Sequence, residues 1–418
     1  MKKILLIFLI SSSSLFAQNK FETTIDSILA QAISNKAFPG AQVYVQKKGE
    51  VLLHKAYGYH TYDSIQQTTL EDVFDLASVT KTMAATLALM KLYDQGSIEL
   101  DQRFSSYWPD WQNKKDKKDL SFREVLAHQA GLIPYIVFLK KITRSKGRIK
   151  NRWVSRSKIT PFNKEAFESL YINDKIEKVI DRKARRSKLG EKKYRYSGLT
   201  FLLYPRMVAQ LSNTNFEDYL NRHFYFPLQL TKIGYQPTQW IDKQHIVPTE
   251  YDSLFRKTLT KGWVHDENAA ILGGVSGNAG LFANTESLAP LLEMLLNNGT
   301  YKGKQYLKDT TIEEFTRVQF PENDNRRGLG FDKPLIGNDT LSYDDSYPAP
   351  LASTNSYGHS GFTGTFFWVD PDQELIYIFL SNRVYPSRTQ RGIYDLAVRK
   401  AILYEALKFN PNHAASSH

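Results

Sequence analysis

Ser78 and Lys81 lie three residues apart in Phe74-Asp75-Leu76-Ala77-Ser78-Val79-Thr80-Lys81. On a helical turn that spacing puts both side chains on one face. A serine hydroxyl is a weak nucleophile at neutral pH and needs a neighbouring base. Lys81 is placed to hold or take its proton, and the positive end of a helix favours a nascent alkoxide at Ser78. The same pattern recurs at Ser155-Arg156-Ser157-Lys158, so spacing alone decides nothing. That second copy sits in a charged stretch with Pro161 close behind, and no buried helix should follow it. Ser78 by itself is better read as an N-cap serine before a surface lysine.

What separates the two copies is the chain behind Ser78. Thr82 to Tyr93 contains Ala84, Ala85, Leu87, Ala88, Leu89, Met90 and Leu92, strong helix formers with almost no polar break. Asp94-Gln95-Gly96 reads as the helix end, with Gly96 as C-cap. A helix apolar on nearly every side belongs in the core.

Two further pieces follow in order, Tyr196-Ser197-Gly198 and His359-Ser360-Gly361. Tyr196 can act as a base beside Lys81 or relay a proton to a leaving group. Its bland alternative is an aromatic core residue, since Tyr194 shows that tyrosine is common locally. His359 is readable as a surface strand histidine or as a weak, pH-dependent cation. Asp266-Glu267 could pass for a metal or acid pair, but no His-Glu-x-x-His and no histidine cluster accompanies it. Loop anchoring is the preferred reading there, with no metal and no cofactor.

Ser78-x-x-Lys81, Tyr196-Ser197-Gly198 and His359-Ser360-Gly361 together resemble the serine β-lactamase and penicillin-binding protein superfamily, most closely its class C-like branch. Leu126-Ala127-His128-Gln129-Ala130-Gly131-Leu132, Gly358 to Gly364, Asp370-Pro371 and Leu380-Ser381-Asn382-Arg383 extend the resemblance over essentially the whole mature chain. That branch contains D-alanyl-D-alanine carboxypeptidases, β-lactamases, D-aminopeptidases and esterases. The resemblance implies an acyl-enzyme on Ser78, resolved by water with help from Tyr196. It also implies an oxyanion site from the backbone N–H groups of Ser78 and Phe362, with His359, Ser360 and Gly361 along the substrate. Two departures stand out. Gly198 replaces the Asn or Asp of many relatives, and His359 replaces the Lys that β-lactamases often carry. Both fit a carboxypeptidase-like or esterase-like enzyme better than strong β-lactam hydrolysis. The alternatives are a non-catalytic penicillin- or peptidoglycan-binding protein on the same fold, or a weak class C-like β-lactamase. The expected partner is a small peptide, amide or ester, related to peptidoglycan.

The 418 residues are 42% hydrophobic and 13% aromatic, enough for a large core. With no cysteine, disulfides and thiol chemistry are excluded. Residues 1–17 read as a signal peptide cut near Ala17, with an apolar run too short to span a bilayer. A periplasmic or secreted protein without a transmembrane segment is expected. The net charge of +12 is concentrated between residues 140 and 195, with 20 Lys or Arg against 6 Asp or Glu, a surplus of 14. Anionic polymers, lipid headgroups or nucleic acid could meet it. The preferred reading is a solvated, partly mobile insertion, and no nucleic-acid module accompanies it.

The expected fold is α/β (α+β) and β-lactamase-like. Residues about 20–75 and 250–410 should form an antiparallel sheet flanked by the terminal helices, and about 76–249 a mainly helical lobe, with Ser78 at the floor of the cleft between them. Ala41–Gln46 and Val51–Gly58 read as one hairpin, Gly364–Val369 and Leu375–Leu380 as another. Asn19–Asn35, Phe201–Leu211, Glu286–Leu296 and Arg391–Leu407 read as helices. Pro227–Tyr235 and Pro248–Asp266 read as loop-rich.

Overall fold

A computed structural model describes residues 2–144 and 149–410, with side chains from residue 18 onward. The leader expected over residues 1–17 lies outside the described side chains. Helix α1 is Lys2–Ser34. Strands β1 (Gly40–Lys47), β2 (Glu50–Gly58), β3 (Tyr357–Ser360), β4 (Phe366–Asp370) and β5 (Leu375–Ser381) form one antiparallel sheet in the order β3-β4-β5-β1-β2. The β1–β2 turn works because Lys48 (φ 52°) and Gly49 (φ 78°) both take left-handed backbone, as a two-residue hairpin requires.

Alternation along the central strand explains the layering. Leu375, Tyr377 and Phe379 pack with Phe21, Ile25 and Leu29 of α1 and with Ile402 and Leu403 of the C-terminal helix α4 (Val398–Lys408). Ile376, Ile378 and Leu380 face the other way, into the core of α2 (Leu87–Asp94) and α3 (Thr285–Leu296). Successive side chains on a strand point to opposite faces, so β5 is buried on both. Each such side chain contributes roughly 1.5–3 kcal/mol by burial. No helix among the described residues is long and apolar enough to cross a membrane.

Several local expectations are corrected. Arg391–Leu407 is not one helix, because Ala397 turns left-handed (φ 47°) between Gly392–Asp395 and α4. A small sheet joins Phe74–Asp75, Leu281–Ala283 and Ile233–Tyr235, the last inside a stretch read as loop. Strands of two or three residues are too short to show alternation. The basic stretch is a folded unit rather than a bare solvated insertion. Val154–Ser155, Phe162–Phe167 and Leu170–Asn173 form a three-stranded sheet, and Lys175–Arg186 is a helix. Trp153, Ile172, Ile176, Ile180 and Ala184 are buried beneath it.

Candidate active site

Ser78 does not lie on a regular α-helix. It sits on a tight 3-10 turn, Ala77–Val79, followed by a widened π-type turn, Lys81–Thr86, that feeds α2. Such widened turns recur at functional sites. Ala77 has φ 46°, a costly conformation for a residue with a side chain. It is held there by Asp75, whose carboxylate accepts the Ala77 N–H (2.8 Å) and the His265 N–H (2.6 Å). Burial pushes that carboxyl above its ordinary range.

Lys81 is only 3% exposed. Its Nζ donates to Ser78 Oγ at 2.9 Å and to the Asn278 carbonyl at 3.0 Å. Both acceptors are neutral, so the buried charge is solvated by the protein rather than paired. The rest of the amine faces rings, 5.4 Å from the Tyr196 centroid and 5.6 Å from Phe201. The glycine-rich turn supplies the Asn278 acceptor. Gly277 is needed there, because a Cβ would meet the Phe201 carbonyl at 2.4 Å. Asp266 accepts from Asn278 Nδ2 (3.1 Å) and caps the helix at Ala269 N (2.8 Å), while Glu267 pairs with Arg388 (2.8 Å). The Asp266-Glu267 pair thus anchors loops, as read. No group of three or more His, Cys, Asp or Glu among the described residues is arranged to hold a metal.

Tyr196 is positioned by the segment from His128 to Pro134. The Arg195 N–H donates to His128 O (2.9 Å), the Ser197 N–H to His128 Nδ1 (3.2 Å), Ser197 Oγ to Ile133 O (2.7 Å) and the Gly198 N–H to Pro134 O (3.0 Å). His128, itself left-handed at φ 59°, packs its ring 4.7 Å from Tyr196. Accepting at Nδ1 puts the His128 proton on Nε2. Burial, then the charges of Arg327, His359 and Lys81, holds this imidazole well below its ordinary pKa. Gly198 stands beside Lys81, where a Cβ would lie 3.7 Å from Cε, an ordinary contact, so glycine is not needed there to avoid a clash.

The third element runs along β3. A Cβ on Gly361 would meet Thr365 Oγ1 at 2.0 Å and the Leu76 carbonyl at 2.5 Å, so glycine lets this strand end press against the segment before Ser78. Thr363 Oγ1 donates to Asp75 O (2.7 Å) and Thr365 Oγ1 to Leu76 O (2.8 Å), fixing the approach. The Phe362 side chain is 47% exposed and sandwiched between Arg383 (4.4 Å) and the His265 ring (5.6 Å). His359 corrects one expectation. Its ring is buried 6.0 Å from Tyr196, and Nδ1 donates to Ser360 O at 2.8 Å. Burial, then Arg327 and Lys81, pushes its pKa down to about 3. It is a neutral side chain at physiological pH and not a pH-dependent cation.

The fixed cation comes instead from Arg327, which the sequence reading passed over. Its guanidinium is buried 5.6 Å from the Tyr196 ring. Nη1 pairs with Asp332 (3.1 Å), which also binds Arg326 (2.9 Å) and the Tyr347 hydroxyl (2.8 Å). Burial alone would raise the Asp332 carboxyl, but Arg327 and Arg326 outweigh it and hold it below its ordinary range. Nε and Nη2 of Arg327 have no hydrogen-bond partner among the described residues. The groups around Tyr196 are therefore two cations, Lys81 and Arg327, two neutral imidazoles, and one carboxylate shared by two arginines. That surplus of positive charge in a dry site favours negative charge developing on the phenol or on a reacting oxygen. The available signal was Arg326-Arg327 running directly into Gly328-Leu329-Gly330-Phe331, a charged pair at the start of an apolar, glycine-paced run that must be buried.

The Beta-lactamase family model matches residues 25–400. An N-acetylmuramyl-L-alanine amidase of Bacillus subtilis (strain 168) is 28% identical over 384 residues, covering 86% of this chain and 80% of the relative. An Escherichia coli (strain K12) protein, provisionally named a D-alanyl-D-alanine carboxypeptidase, is 29% identical over 372 residues, 83% of this chain and 79% of its own. Among solved structures, EstCE1, a hydrolase with promiscuous acyltransferase activity, superposes with a TM-score of 0.65 at 18% identity, covering 93% of this chain and 99% of that one.

Proposed function

The chain belongs to the Beta-lactamase family, and from that premise we propose that it is an exported serine hydrolase acting through an acyl-enzyme on a D-amino-acid peptide, amide or ester related to peptidoglycan. The observation that carries the reading is the 2.9 Å bond between Lys81 Nζ and Ser78 Oγ, made by a buried amine beside the Tyr196 ring. Ser78 Oγ attacks the carbonyl while its proton passes to Tyr196 acting as a phenolate beside the Lys81 and Arg327 charges. The N–H groups of Ser78 and Phe362 take the oxyanion. Collapse expels an amine or alcohol that Tyr196 protonates, and water then cleaves the acyl-Ser78 ester with Tyr196 as base. The substrate class is supported by the names of the amidase and carboxypeptidase relatives. Export is supported by the leader pattern of residues 1–17, and the periplasm or outside medium is the proposed location.

Gly198 favours a second, narrower reading in which β-lactams acylate Ser78 but are hydrolysed slowly. Gly198, beside Lys81, lacks the side chain that would meet a substrate amide. Turnover of nitrocefin, a short acyl ester and a peptide ending in D-Ala-D-Ala, each compared with Ser78→Ala, tests both readings. Ester or peptide turnover lost in the variant supports the hydrolase. Ligand binding without turnover of any of the three would point to a non-catalytic binder.

A further inference from the structure

The charge surplus of the 140–195 stretch is not spread evenly over its folded surface. A cavity of about 500 Å³ opens between the helix Lys175–Arg186 and the segment before the small sheet, and it is lined by Lys141, Arg152, Lys175, Lys178 and Arg182, with Trp153, Asn173 and Val179. That volume is in the range of small-molecule sites. None of the five cations makes an ion pair among the described residues, whereas the acids of the same helix are committed elsewhere. Glu177 pairs with Lys164 (2.6 Å) and Asp181 with Arg206 (2.6 Å). The other four acidic side chains of the stretch are also bonded away from the cavity. Lys175, Lys178 and Arg182 recur at helical spacing and so share one face.

The cavity is also held in shape. Asn173 is 7% exposed; its Oδ1 accepts the Lys175 N–H at 3.0 Å and its Nδ2 donates to the Arg152 carbonyl at 3.4 Å. This buried amide fixes the two sides that carry the charges relative to each other. Five like charges around one concavity repel one another, and an entering anion would relieve that repulsion.

We propose that this cavity binds an anion bearing several phosphate groups, at a site separate from the Ser78 crevice and independent of its chemistry. A phosphate oligomer suits it better than nucleic acid. Bases need exposed aromatic faces on which to stack, and Trp153 is 9% exposed, with no other large aromatic of this stretch among the exposed ones. A concavity also suits a ligand that enters it better than a flat bilayer surface.

The test is calorimetric titration of the full chain with tripolyphosphate, alongside two variants of equal charge change. Lys175→Gln/Lys178→Gln/Arg182→Gln removes three cavity cations. Lys183→Gln/Arg185→Gln/Arg186→Gln removes three from the same helix that do not line it. The proposal expects saturable binding that weakens about tenfold between roughly 50 and 200 mM salt, as screening requires. It expects about a hundredfold loss in the first variant and less than about threefold in the second. Unchanged ester turnover by both variants reports that they are folded. Equal losses in the two variants would reduce the effect to diffuse charge and overturn the proposal. So would no saturable binding by the unaltered chain, or binding to phosphatidylglycerol vesicles with none to tripolyphosphate.

Discussion

Ser78-x-x-Lys81 and Ser155-x-x-Lys158 share one spacing and differ in everything around it. At the first, a buried lysine reaches the serine oxygen at 2.9 Å, and a left-handed Ala77 and a widened turn set the angle. At the second, Ser155 Oγ donates to the Ser157 carbonyl (2.7 Å) and accepts the Ser157 N–H (3.0 Å). Lys158 there is exposed. The second serine is consumed by a local turn, and its lysine is solvated by water. Reactivity thus comes from desolvation and fixed geometry, not from the motif.

The sharpest way to break this contrast is to remove each serine. Ser78→Ala should cost about 10⁴-fold or more in ester turnover, and Ser155→Ala should leave the rate unchanged. Tyr196→Phe, which keeps the ring and loses the hydroxyl, should cost about 10³-fold in kcat. Lys158→Ala, by contrast, should be silent in the same assay. Arg327→Met removes one of the two cations beside Tyr196. Turnover at neutral pH should fall about tenfold, and the pH of half-maximal rate should rise by about one unit. Asp332→Asn frees the guanidinium from its counter-charge and should move that midpoint the opposite way, which a purely structural role would not do.

His359 gives a smaller, thermodynamic effect. Its folded pKa of about 3 lies below the ordinary 6.5, so the unfolded chain binds more protons as pH falls. The stability it contributes is complete above pH 6.5 and is lost progressively toward pH 3, about 2 kcal/mol of it by pH 5. Urea unfolding at pH 7.5 and pH 5 should show that loss added to one from buried His128, which is also held well below its ordinary pKa, and His359→Gln should reduce the total by about 2 kcal/mol. The smallest effect is expected from Gly198→Asn. The space beside Lys81 accepts a Cβ at ordinary contact distance, so stability should change by less than about 1 kcal/mol, and nitrocefin turnover should rise by about threefold at most.

Much of this was legible along the chain. Lys48-Gly49 and Asp370-Pro371-Asp372 marked the two hairpins because turn chemistry is local. The apolar run behind Ser78 marked its burial. What the sequence withheld was either very short or set by distant partners. The strands at Phe74–Asp75 and Leu281–Ala283 carry too few residues for a pattern. The partners of the Lys81 amine, the Phe201 ring and the Asn278 carbonyl, lie far along the chain. His359 read as a cation because histidine titrates near neutrality in water, and only its burial beside Arg327 and Lys81 shows that it does not here. The basic stretch hid a small fold because its charges outnumber the Ile172, Ile176 and Ile180 that hold it together.

The central claim is that one of two look-alike serines is a nucleophile because of its surroundings. Peptide mapping by mass spectrometry after reaction with a fluorophosphonate tests it most directly. The account predicts a single adduct on the peptide containing Ser78, abolished by Ser78→Ala and untouched by Ser155→Ala. An adduct on Ser155, or labelling that survives Ser78→Ala, would contradict it.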